Sequence, residues 1–146
     1  MRYLVVALAL AGVACGTSAR DETAAVSPAA ATTGALHEVQ MLVTPEGAYI
    51  YQPAALDIKV GDRVRWLNVS GGPHNVAFYE NGIPAGARDV LNTAMADRMG
   101  DLTGALLFEP NAAYEISFAG APAGTYEYFC TPHEMLGMTA QLTLSR

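Results

Sequence analysis

From residue 38 onward the chain is built of short runs in which apolar and polar side chains alternate. They fall at 38–43 (Glu-Val-Gln-Met-Leu-Val), 48–51, 55–60 (Ala-Leu-Asp-Ile-Lys-Val), 63–69 (Arg-Val-Arg-Trp-Leu-Asn-Val), 75–79, 105–109, 113–118, 125–130 and 138–144. A period of two sends successive side chains to opposite faces of an extended backbone, so each run predicts a half-buried strand. Trp66 alternates with Val64 and is expected in the core, and Tyr126 and Tyr128 are expected on one face of their strand. Turn formers separate the runs: Pro45-Glu46-Gly47, Gly61-Asp62, Ser70-Gly71-Gly72-Pro73, Glu80-Asn81-Gly82, and Gly120 to Gly124 around Pro122. About eight short strands at this spacing predict an all-β fold, an antiparallel β-sandwich. One stretch breaks the pattern. Around 87–100, Val90, Leu91, Ala94, Met95 and Met99 recur at helical intervals, which predicts a short helix or irregular excursion. Met95 and Met99, four apart, read as a packing stripe rather than a methionine-rich metal site.

The first 36 residues have neither periodicity. Residues 1–14 carry Arg2 and then an apolar run ending in small residues, the pattern of a signal peptide. The run is about ten residues, half of the roughly 20 needed to span a bilayer, so a retained transmembrane anchor is not expected. Gly12-Val13-Ala14-Cys15 resembles the lipobox of bacterial lipoproteins, in which the cysteine becomes the lipidated first residue; ordinary cleavage near Ala14 or Ala19 is the alternative. Residues 15–36, rich in Ala, Thr, Ser and Gly, read as a tether, leaving 37–146 as the folded domain. The expected location is the periplasm or the outer face of the cytoplasmic membrane, with a lipid anchor at Cys15.

Composition narrows the function. A chain of 146 residues that is 51% hydrophobic and 15% charged has room for one ordinary domain and enough apolar surface to fold it. Its net charge of −6 opposes the counterion release on which nucleic-acid binding depends, so DNA and RNA are excluded as partners. With Cys15 in the leader, Cys130 is the only thiol of the domain, and no disulfide is expected. His37, His74 and His133 are the only histidines. Cys130, His133 and Met138 lie within nine residues, as Cys-x2-His-x4-Met, and His74 stands 56 positions upstream of Cys130. Two imidazoles and a thiolate with a weak thioether suit copper, because that set lies between the geometries favoured by its two oxidation states. Zinc ordinarily takes a closed tetrahedral set without a thioether. Such a site serves electron transfer better than substrate activation. His37, at the border of tether and domain, reads as a surface or strand-start residue.

Gly72-Pro73-His74-Asn75-Val76, Ile83-Pro84-Ala85-Gly86, and Cys130-Thr131-Pro132-His133 through Gly137-Met138 resemble the plastocyanin/pseudoazurin branch of the cupredoxins. So does Pro53 to Val60 followed by Gly61-Asp62-Arg63-Val64-Arg65-Trp66, and the resemblance spans roughly residues 40–146. It implies an eight-stranded Greek-key sandwich with one copper ion near one end, ligated by His74, Cys130, His133 and Met138. The shorter ligand loop of amicyanins would place the last ligand on Leu136, which cannot ligate, and Met135 lies too close to His133 to swing to the axial position. Asn75 is implied to hydrogen-bond to the Cys130–Thr131 loop, with Pro73 and Pro132 stiffening the backbone beside the ligands. His133 is implied to be the electron port, ringed by Leu136, Gly137, Pro84 and Gly72. Plastocyanins carry Tyr immediately before the ligand cysteine, where this chain has Phe129.

The function expected is therefore that of an electron carrier cycling Cu(I) and Cu(II), with copper storage or delivery as the alternative. An enzymatic role would need a second copper held by histidines, and only His37 is left over. A hydrolase elbow of the form Gly-x-Ser-x-Gly is absent. The partners expected are a redox protein donor and a redox protein acceptor, and the chain itself is expected to be a monomer.

Overall fold

The computed structural model describes residues 34–146. The strands are β1 (Leu36–Val43), β2 (Tyr49–Gln52), β3 (Ala55–Lys59), β4 (Arg63–Asn68), β5 (Ala77–Phe78), β6 (Ala113–Ser117), β7 (Gly124–Phe129) and β8 (Thr139–Ser145). They form two four-stranded sheets, ordered β2-β1-β4-β6 and β3-β8-β7-β5. Both sheets are mixed, which corrects the expectation of a purely antiparallel sandwich. β1 pairs with β4 in parallel, Leu36 opposite Arg63 and Met41 opposite Asn68, and β3 pairs with β8 in parallel. The reason lies in the connections. Only a hairpin obliges its second strand to run against the first; a strand that returns after a longer crossover is free to run alongside it. The chain leaves β1, crosses through β2 and β3, and returns as β4.

Alternation does the packing. Val39 and Met41 of β1, Val64 and Trp66 of β4, and Tyr114 and Ile116 of β6 point inward from one sheet. From the other come Ile58, Phe78, Tyr126, Tyr128, Leu142 and Leu144. Trp66 is fully buried and meets Phe78 and Tyr128 edge to face, with ring centroids 6.4 and 5.6 Å away. Such geometry opposes ring edge to ring face and adds to the burial term.

Two runs depart from the reading of the sequence, at 75–79 and 105–109, whereas the helix expected around 87–100 is present. Residues 75–79 contribute only the two-residue β5. Residues 105–109 form no strand: Leu107 makes one isolated bridge to His74, and Phe108 stands 66% exposed. The excursion contains a helix, α1 (Ala87–Ala94), which ends where Met95 turns to extended backbone. Leu91 and Met95 are buried, whereas Met99, beyond the helix end, is exposed, so the methionine stripe stops at Met95. Among the described residues no helix is long and apolar enough to cross a membrane.

The strand directions define two poles. Asn68, Phe129 and Thr139 lie at one, where the β4–β5 and β7–β8 connections meet; Leu36, Lys59, Asp62 and Ser145 lie at the other. An eight-residue strand such as β1 spans roughly 25 Å between them.

Candidate metal centre

The β7–β8 connection is a tight loop fastened to itself. The Cys130 amide donates to the Met138 carbonyl (3.1 Å), the His133 amide to the Cys130 carbonyl (2.9 Å), and the Met138 amide to the His133 carbonyl (3.2 Å). A 3-10 turn over Glu134–Leu136 closes on Gly137, whose φ of 85° is left-handed. Strand pairing through Phe129 and Thr139 thus places Cys130 and Met138 side by side. His74 arrives from the other connection. Its amide donates to the Leu107 carbonyl (3.1 Å) and its carbonyl accepts from the Leu107 amide (2.7 Å). The run at 105–109 therefore serves as a pad beneath His74.

Three of the residues singled out from sequence converge. Cys130 Sγ lies 3.5 Å from His74 Nδ1 and 3.4 Å from His133 Nδ1, and the two Nδ1 atoms are 3.2 Å apart. All three residues are buried. His74 Nε2 donates to the Ser70 carbonyl at 2.8 Å, which puts the ring proton there and leaves the Nδ1 lone pair facing the cluster. Burial pushes the His74 and His133 imidazoles below the usual histidine range; the Ser70 bond opposes this at His74, and the neighbouring His74 adds to it at His133. Burial pushes the Cys130 thiol up, opposed by the backbone amides of Asn75 and His133. Neutral imidazoles are the form that binds metal, and a buried thiol becomes thiolate when a cation takes the place of its proton.

The donor set fits one metal ion. Bonds of about 2.0 Å to nitrogen and 2.3 Å to sulfur, directed at 120°, would separate the donors by about 3.5 to 3.7 Å, against the 3.2–3.5 Å found. Met138 is fully buried at the end of the same loop. His133 is the one member of the set that touches solvent, at 8% exposure, while His74, Cys130 and Met138 have none.

Asn75, fully buried, joins the two connections. Its Nδ2 donates to Thr131 Oγ1 (3.1 Å) and to the Gly104 carbonyl (3.1 Å), and its Oδ1 accepts from the Thr131 amide (2.8 Å). Thr131 and Pro132 are themselves exposed. Leu136 is 63% exposed and Met135 95%, both on the turn that follows His133. Pro84 corrects the expected surround of His133. β5 runs antiparallel to β7, with Phe78 opposite Tyr128, so the chain beyond it travels toward the start of β7. A Cβ on Gly124 would lie 2.7 Å from Pro84 Cγ, which puts Pro84 near the far pole. His37 is also at the far pole, where its Nε2 meets Asp62 Oδ2 at 2.8 Å.

The sequence reading did not find Ser70, Tyr49 or Tyr79. Ser70 acts through its carbonyl, which no side-chain pattern reveals. Tyr49 stacks on His133, ring centroids 3.9 Å apart and planes within 14°. Tyr79 stacks on Phe129 (4.4 Å) and donates its hydroxyl to Glu134 (2.9 Å), bracing the ligand loop from outside. Cys15 and most of the proposed tether lie outside the described residues.

Comparison with known proteins agrees with this chemistry. A family model described as copper binding proteins, plastocyanin/azurin family, matches residues 38–145. A plastocyanin from Scenedesmus fuscus is 38% identical over 98 residues, covering 67% of this chain and 89% of that protein. The oxidized plastocyanin of Dryopteris crassirhizoma superposes with a TM-score of 0.55 at 26% identity, over 74% of this chain and 99% of its own. A pseudoazurin from Sinorhizobium, 24% identical, shares the fold with a TM-score of 0.56 over 76% of this chain and 74% of its own.

Proposed function

This chain belongs to the plastocyanin/azurin family of copper-binding proteins, and on that premise we propose that it is an exported carrier of single electrons. Its cofactor is one copper ion. His74, Cys130 and His133 would hold it, and Met138, buried at the end of the same loop, would offer its thioether as the fourth donor. When bound, copper supplies a one-electron couple between Cu(I) and Cu(II). The observation that carries the reading is the accessibility of the site: His74, Cys130 and Met138 are sealed, and His133 alone reaches the surface. A substrate has no open approach to such a centre, whereas an electron can enter and leave through the imidazole edge.

The protein residues keep the donors still. Ser70 fixes the ring of His74, and Asn75 ties the His74 connection to Thr131 beside Cys130. Donors that hardly move on a change of charge keep the reorganisation cost of electron transfer low. Leu136 and Met135 supply apolar surface next to His133, on which a redox partner can settle and from which it can leave quickly. Burial of three of the four donors weighs against copper storage or delivery, which needs an exchangeable site. Donor and acceptor are redox proteins, and the carrier works as a monomer. We further read residues 1–14 as an export signal and Cys15 as the lipid-anchored first residue of the mature protein, in the periplasm or on the outer face of the cytoplasmic membrane.

Titration of the purified protein with Cu(II) tests the reading. One equivalent should develop an intense visible thiolate-to-Cu(II) band that bleaches reversibly on reduction, without loss of metal, and Cys130→Ser should abolish the band. A blue Cys130→Ser variant, or metal lost at each reduction, would refute it.

A further inference from the structure

The two imidazoles of the centre are held in different ways. His74 is fastened by hydrogen bonds, through both backbone groups to Leu107 and through ring Nε2 to Ser70. Beyond its backbone bonds within the loop, His133 has only the Nδ1 contacts that face Cys130 and His74. Its ring Nε2 has no hydrogen-bond partner among the described residues and is not a buried orphan, so it faces water. What lies against the ring is Tyr49, at 3.9 Å and nearly parallel. The same tyrosine meets His74 edge-on, at 6.1 Å and 66°.

Tyr49 is itself well held. It opens β2 and pairs with Val43 of β1, and the Val43 amide donates to Ser70 Oγ (3.2 Å) in the connection that carries His74. Gly71, with φ of 77°, lets that connection close on the ring: a Cβ there would stand 2.9 Å from Val43 Cβ and 3.3 Å from Tyr49 Cε1. The Tyr49 hydroxyl makes no hydrogen bond to the described residues and is not a buried orphan, so the contact is one of ring faces.

We propose that Tyr49 is a positioning residue for the metal ligand His133, its ring serving in place of the hydrogen bond that His133 lacks. Stacking fixes the tilt of the imidazole and keeps Nδ1 aimed at Cys130 and His74. Without it the ring is free to rotate about its side-chain bonds, and the ligand is lost more readily. The proposal rests on the copper reading above, but the stack itself is independent of metal.

The test uses the full chain with Tyr49→Phe, which keeps the ring face, and Tyr49→Leu, which keeps the apolar bulk alone. In copper-free protein, the His133 ring protons should show an upfield ring-current shift in the parent and in Tyr49→Phe that disappears in Tyr49→Leu. In reduced copper-loaded protein, transfer of Cu(I) to an excess of a Cu(I) chelator should be about threefold to tenfold faster in Tyr49→Leu, the range expected for loss of one aromatic pair. Tyr49→Phe should match the parent. Identical proton shifts in the parent and Tyr49→Leu, equal release rates, or a Tyr49→Phe variant that behaves like Tyr49→Leu would each overturn the proposal. Should Tyr49→Leu fail to fold, Tyr49→Met is read in the same way. A parent protein that binds no copper would sink the electron-carrier reading, and the proton shifts would still decide whether the stack exists.

Discussion

Replacing Asn75 by Ala removes a buried amide that ties the His74 connection to Thr131 of the ligand loop. Three hydrogen bonds go: two donated by Nδ2, to Gly104 and Thr131, and one accepted by Oδ1 from the Thr131 amide. Each such bond contributes about 0.5–1.5 kcal/mol net, and a buried group left without a partner costs about 1–3 kcal/mol. Thr131 is exposed, so water can serve its amide and hydroxyl, but the Gly104 carbonyl is left without the donor it had. The expected loss is therefore roughly 2–4 kcal/mol, within the range for breaking a buried polar network. In a domain of this size that lowers the melting midpoint by roughly 8–20 °C. Thr131→Ala deletes only the Oγ1 contact and keeps the amide bond, so its cost should stay below about 1 kcal/mol. Urea unfolding of the copper-free protein measures both, and the double variant yields the coupling between them. With copper bound, Asn75→Ala should also shift the reduction potential, because Thr131, which Asn75 holds in place, is the residue next to Cys130. An Asn75→Ala protein within about 0.5 kcal/mol of the parent, or one no weaker than Thr131→Ala, would refute the account of Asn75 as the clasp.

At the far pole, Asp62 accepts from the Lys59 amide, the His37 ring and the Ala35 amide, and these hold its carboxyl below the usual range, the Lys59 bond most strongly. A depressed carboxyl contributes stability that is complete above its unfolded pKa and is lost as pH falls through the folded one. Copper-free protein should therefore weaken below about pH 4, and Asp62→Asn should flatten that acid limb in pH-dependent melts. Gly71→Ala should destabilise by about 1–3 kcal/mol in urea unfolding, since it combines left-handed backbone with an overpacked contact; a neutral result would contradict the close approach to Val43. Trp66→Ala should cost about 3–5 kcal/mol by the same assay, and a loss under 1 kcal/mol would show that the two sheets do not pack through it.

The parts of the molecule governed by local spacing were open to reading. Alternation over 55–60 and 63–69 becomes β3 and β4, and Cys130, His133 and His74 meet because a strand-to-strand loop and a turn carry them to one pole. Strand direction was not readable. Val39 and Met41 point inward whether β1 lies parallel or antiparallel to β4, so the apolar pattern is silent on the choice. The run at 105–109 looks like a strand by composition, yet its backbone is consumed by His74 and Asn68, and this long-range demand leaves no local trace. Tyr49 was unreadable for a related reason. It stands 84 positions before the ring that it covers, in a run with no chemical motif. Pro84 failed in the opposite sense: a motif adjacent to β5 suggested nearness to the copper ligands, and the direction of β5 carried it away.

Because β1 begins beside Arg63 and the ligands cluster past Asn68, the polypeptide joins the domain at the end opposite His133. An attachment upstream of residue 34 would then leave the redox face turned outward by the length of the strands, roughly 25 Å for the eight-residue β1. A redox partner could then settle on His133 without meeting the point of attachment.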